Sequence, residues 1–173
     1  MATATILLGV GAAVLSDGSA SNAAPQIKRT QGTDANPKKH FLVLAFDAST
    51  QEHCSWQFRL PGDYSSGGTL KILWMGAGAS GNNVVWVAQV SATTPADADT
   101  PIEHAKSSAA TVTTAGNATE ARRLIESSIS LNMDSAAAGD YIVITMYRDA
   151  DDGSDNYTSD AEVVACAFEY TTT

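Results

Sequence analysis

From His40 onward the chain breaks into short β-rich runs separated by turn clusters, and this texture constrains the fold more than any other feature. The runs are HFLVLAFD (40–47), EHCSWQFRL (52–60), TLKILWMG (69–76), VVWVAQVSA (84–92), SAATVTT (108–114), EARRLIESSISL (120–131), YIVITMYRD (141–149) and AEVVACAFEY (161–170). Gly, Asn, Asp or Pro stands in most of the connections, as turns require. Within the runs the apolar residues recur at period two. Leu70, Ile72 and Trp74 share one face of their run, and Ile142, Ile144 and Met146 share a face opposite Val143, Thr145 and Tyr147. Period two over runs this short describes strands with one side on a core. The start of 120–131 is also compatible with a helix, but Ile125, Ser127, Ile129 and Leu131 alternate with Glu126, Ser128 and Ser130 and read better as a strand.

Eight strands without a clear helix predict an all-β, eight-stranded antiparallel β-sandwich of jelly-roll type. An immunoglobulin-like sandwich is the competitor, but Trp56 falls two residues after Cys54, which is not the Cys–Trp–Cys spacing of that fold. Cys54 and Cys166 read as small buried hydrophobes, and whether they pair is left open. The three tryptophans lie mid-strand and are expected in the core, which leaves Tyr64 and Tyr157 as the candidates for exposed rings.

Ahead of this body, residues 3–15 are apolar and β-capable, and residues 16–39 are rich in Ser, Asn, Gly and Pro and lack aromatics. The sequence therefore divides into an extended N-terminal arm, 1–39, with a possible short strand at 3–15 and then a flexible linker, and a β-sandwich domain, 40–173. The arm carries Lys28, Arg29, Lys38 and Lys39 and a charge of +2, and the body carries −11, which gives the net −9. An acidic body repels phosphate backbones, so direct nucleic-acid binding is not expected, while the basic arm is a candidate partner-binding segment. No run approaches the roughly 20 apolar residues of a membrane helix, so a soluble protein is expected. Charged residues make up only 17% of the chain. A surface built largely from Ser, Thr, Asn, Gly and Ala costs little to desolvate against copies or partners.

The chain lacks a G-x-S-x-G elbow, and His40, His53 and His104 have no metal-ligand spacing, so no catalytic constellation is expected. Gly76, Gly78 and Gly81 read as turn residues supplying positive φ. The segment RDADDGSDNYTSDAE (148–162) is the most distinctive. Asp149, Asp151, Gly153 and Asp155 alternate in a manner compatible with a calcium loop, although the glycine position and the missing closing glutamate depart from the EF-hand. The other reading is a solvated hairpin loop in which Arg148 pairs with one carboxylate and braces the turn.

The segments SWQFRLPGDYSSGGTLKILWMGAGASGNNVVWVAQV and GDYIVITMYRDADDGSDNYTSDAEVVACAFEY resemble small virion proteins of tailed bacteriophages over roughly residues 40–170. The shared features are the strand ending in Leu60-Pro61, the Tyr64 loop, Leu73-Trp74, Asn82-Asn83-Val84-Val85-Trp86, and Arg148 with Asp155 and Asp160. The resemblance implies a non-enzymatic structural protein on the virion, decorating (cementing) the head shell or belonging to a tail or fibre. It implies a homo-oligomer, with a trimer favoured, and the major capsid protein or another virion protein as partner. Decoration of this kind works by mass action, since binding only the assembled shell stabilises it. A glycan-binding, receptor-binding β-sandwich module is the alternative.

Overall fold

The computed structural model describes residues 1–19, 22–97 and 100–173. The described residues form eleven strands: β1 (Thr3–Gly9), β2 (Val14–Leu15), β3 (Gln26–Gln31), β4 (His40–Phe46), β5 (Glu52–Arg59), β6 (Tyr64–Gly76), β7 (Asn83–Thr93), β8 (Ala110–Ala115), β9 (Ile125–Ser130), β10 (Tyr141–Arg148) and β11 (Ala161–Thr172). The last eight correspond one for one to the eight runs read from the sequence. Their alternation works as expected, with Ile142, Ile144 and Met146 in the core and Tyr141, Val143, Thr145 and Tyr147 turned outward. The 120–131 run forms its strand at Ile125–Ser130, where alternation begins.

The strands form two antiparallel sheets. The first runs β3-β4-β11-β6-β9 and the second β2-β5-β10-β7-β8. Without β2 and β3, the orders β4-β11-β6-β9 and β5-β10-β7-β8 make the chain cross between sheets at every connection except the β7–β8 hairpin. That is the paired Greek key of a jelly roll. Trp56, Trp74 and Trp86 lie between the sheets, as expected. Trp74 Nε1 donates to Ser127 Oγ at 2.8 Å, and Phe46 meets Trp86 edge-on with centroids 5.2 Å apart. Cys54 and Cys166 are buried and unpaired.

Residues 1–39 do not form the expected arm. β4 pairs with β11 only over Ala161–Val163, and β1 takes up the same edge from Ala165 to Thr171. An unpaired edge leaves backbone donors and acceptors open, and β1 fills them. Its Ile6 and Leu8 face inward and, with Val10, pack on the core. The chain then crosses to the second sheet, where β2 pairs with β5, and returns to the first as β3 beside β4. Residues 1–39 and 40–173 therefore share one core, and the detached arm and linker are corrected to a wrap that closes one side of the sandwich.

Candidate functional site

The acidic loop between β10 and β11 is organised around Arg148. This side chain is wholly buried and forms a bidentate pair with Asp155, its Nη2 2.7 Å from Oδ1 and its Nε 2.9 Å from Oδ2. It also donates to the carbonyl oxygens of Ser159 and Tyr157. Asp155 Oδ2 accepts the Val85 amide as well, at 2.9 Å. A planar guanidinium with its donors spent on a carboxylate and carbonyls is a structural brace. Of the candidate calcium ligands, Asp155 is committed to Arg148, Asp149 accepts from Gln51, and Asp151 is exposed at the loop tip. Among the described residues no group of three or more His, Cys, Asp or Glu is placed to hold a metal ion.

The four basic candidates do not gather into one site. Lys28 and Arg29 lie on β3, and Lys38 and Lys39 in the exposed β3–β4 connection. Lys28 pairs with Asp160 of the same chain and Lys39 with Asp34. The acidic surface that the basic segment answers is thus partly its own.

The two loop tyrosines expected to be exposed are buried, Tyr157 at 1% exposure and Tyr64 at 6%. The Tyr157 ring meets Trp74 edge-on, and its hydroxyl donates to the Gly78 carbonyl. A Cβ on Gly76 would lie 1.9 Å from that hydroxyl, and one on Gly116 2.9 Å from the ring. Gly76 is therefore required for space. The positive φ expected at Gly76, Gly78 and Gly81 is found instead at Gly18, Gly67 and Gly139.

On the second sheet the outward rings come from β10 and β5. Along β10 the outward residues are Tyr141, Val143, Thr145 and Tyr147, opposite Arg59, Gln57, Ser55 and His53 of β5 on one side. Thr93, Ser91, Gln89 and Val87 of β7 flank them on the other. Tyr147 and His53 lie ring against ring with centroids 4.7 Å apart, and the Tyr141 hydroxyl donates to Gln57 Oε1. At about 3.3 Å per residue, the two tyrosines stand roughly 20 Å apart along the strand. Burial lowers the His53 pKa, with the nearby Lys106 charge acting in the same direction, so the imidazole is neutral near pH 7. His53 Nδ1 and Thr93 Oγ1 are buried and have no hydrogen-bond partner among the described residues. The face offers two phenol rings, an imidazole, amides and hydroxyls as stacking surfaces and hydrogen-bonding groups, with the exposed Arg59 guanidinium beside Tyr141. Sequence reasoning had placed Tyr147 on the side opposite Ile142, Ile144 and Met146. Joining that parity with the parity of β5 and β7 would have exposed the whole face.

A second polar hollow, about 330 Å³, opens at one end of the sandwich between Thr94, Asp97, Thr100, His104, Asp134, Ser135 and Asp140. Ala96, Asp134 and Ser135 around it have positive φ although none is glycine. Two of its carboxylates hold the loops themselves. Asp134 accepts the Ala92 amide and His104 Nε2, both at 3.0 Å, and Asp140 accepts the Ala137 amide. His104 Nδ1 faces the Pro101 carbonyl at 2.8 Å. The Asp134 carboxylate, then that carbonyl, raise the His104 pKa. This end is a clasp between two loops.

Neither a protein-family model nor a curated protein matches the chain. Solved structures with a similar outline include a cycloisomaltooligosaccharide glucanotransferase of Paenibacillus sp. complexed with cycloisomaltoheptaose (9% identity over 93% of this chain and 18% of that one, TM-score 0.46). The Cry4Aa mosquito-larvicidal toxin of Bacillus thuringiensis is similar at 12% identity over 99% of this chain and 24% of that one, with a TM-score of 0.49. The CBM35 of Abf62 from Cellvibrio japonicus is similar at 10% identity over 98% and 99% of the two chains, with a TM-score of 0.47. The chain thus spans less than a quarter of the first two. Likenesses at this level carry no functional argument, and the jelly-roll assignment rests on the strand order.

Proposed function

We propose that this chain is a non-enzymatic binding module whose second sheet takes a neutral glycan on its outer face. The observation that carries this reading is the line of Tyr141 and Tyr147 on β10 with His53, Gln57 and Gln89 beside them. A pyranose presents an apolar face to a ring and hydroxyls around its edge. Tyrosine supplies a rigid apolar body with a polar tip at low entropy cost, and amides and hydroxyls supply the edge bonds. A non-enzymatic role is supported by the state of the nucleophile candidates. Burial pushes both cysteine thiols well above their ordinary pKa, which keeps them protonated and unreactive. Titration calorimetry against a panel of neutral oligosaccharides tests the reading, with Tyr141→Ala and Tyr147→Ala as the variants. Heat that appears with the native protein and vanishes with either variant supports it, and silence across the panel overturns it.

A second reading, a virion component that packs on the head shell or in a tail or fibre, is supported by the opposite face. The first sheet turns small residues outward around a protruding Leu7, a surface cheap to cover. Immunogold labelling of particles with an antibody to residues 40–173 separates head, tail and neither. The two readings are compatible in a receptor-binding virion protein.

A further inference from the structure

The outer face of the first sheet carries a knob and two hollows. The knob is Leu7, 82% exposed although it sits mid-strand in β1 opposite Ala167. Beside it is a shallow hollow of about 200 Å³ over Leu73, Ala165 and Ala167, with Lys71 and Glu126 at its rim. Glu169 approaches the same lysine at 4.0 Å. Two residues further along β6 and β9 lies a larger hollow of about 460 Å³, lined by Phe41, Met75, Leu124 and Val164 and rimmed by Lys39, His40 and Arg122. Leu124 is itself 55% exposed. One end of the face is therefore a leucine beside two carboxylates, Glu126 and Glu169, that share Lys71, and the other an apolar hollow set among cations.

We propose that this face pairs with the same face of a second copy about a two-fold axis, Leu7 of each copy entering the Phe41–Met75–Leu124–Val164 hollow of the other. A two-fold contact requires each patch to meet its complement on an identical surface, and this face carries both halves. Charge fixes the direction. Turning one copy end for end sets Glu126 and Glu169 against Lys39 and Arg122, whereas a parallel overlay sets like against like. The small outward residues Ala165, Ala167 and Ser128 between the two ends allow the sheets to approach closely. A pair of this kind leaves both second-sheet faces pointing outward, so that it presents two copies of the surface described above and gains from multivalent attachment. The pairing itself does not depend on what that surface binds.

Sedimentation equilibrium on the full chain tests the proposal. The native protein should sediment as a dimer at micromolar concentration. Leu7→Glu, at a site too exposed to disturb the fold, should weaken pairing by about tenfold or more, the scale of losing one buried contact. Glu169→Lys and Lys39→Glu should each weaken it, and the two together should restore it. A native protein that is monomeric throughout the range overturns the proposal, as does a Leu7→Glu variant that pairs normally. A double reversal that stays monomeric overturns the end-for-end arrangement.

Discussion

The two outer faces of the sandwich are built on the same plan and differ in what they show to solvent. The second sheet turns out Tyr141, Tyr147, His53, Gln57 and Gln89, while the first turns out Ala165, Ala167, Ser128, Leu73 and Leu7. Both hang on one core, because β10 and β11 are consecutive strands in different sheets and the loop between them is braced by Arg148. The contrast shows that a jelly roll fixes only half of each strand. Inward positions are dictated by packing, and outward positions are less constrained by it.

The largest expected effects fall on the shared scaffold. Trp74→Ala should cost about 3–5 kcal/mol in a denaturant titration, since it empties the space of a large buried side chain. Arg148→Met should cost about 3–5 kcal/mol by leaving the buried Asp155 carboxylate unpaired. Both should weaken the two faces together, and damage to only one face would show that the sheets are less coupled than their common core indicates.

Next in size are changes that separate the faces. Tyr147→Ala should reduce glycan affinity by at least about 1 kcal/mol while leaving sedimentation unchanged, as for a ring at the centre of a contact. Leu7→Ser should alter stability by no more than about 0.5 kcal/mol, as an exposed substitution does, and should leave glycan affinity alone.

The smallest effect is a pH dependence at the loop end. His104 has a pKa raised in the folded state by Asp134 and the Pro101 carbonyl. Its contribution to stability is fully present below the unfolded value of about 6.5 and is lost as pH rises through the higher folded value. The native protein should therefore melt lower, relative to His104→Gln, as pH rises through neutrality. Identical pH profiles for the two would show that the clasp does not depend on the proton.

How much of this is visible in the sequence follows from the same division of each strand. The eight body strands were legible because inward positions impose period two on runs such as 141–148. β3 was not, because QIKRTQ forms an edge strand that places only Thr30 out of solvent, so composition suggested a linker. β1 was recognisable as β-capable, but its partner lies more than 150 residues away in β11 and no local signal specifies that pairing. Tyr157 was misjudged because its burial depends on Gly76 and Gly116, which yield space from two other segments. The Arg148 brace was one of two readings of its loop, since charge alone does not distinguish a carboxylate that binds a cation from one that binds a guanidinium. The outward tyrosines carried a parity signal within β10, but their neighbours come from β5 and β7, which only the register supplies.

The most direct test of the central claim is a calorimetric titration of neutral oligosaccharides into three proteins: native, Tyr141→Ala/Tyr147→Ala, and Leu7→Glu. The account predicts binding by the native and Leu7→Glu proteins and none by the double tyrosine variant. Binding that survives loss of both tyrosines, or no binding by any of the three, would contradict it.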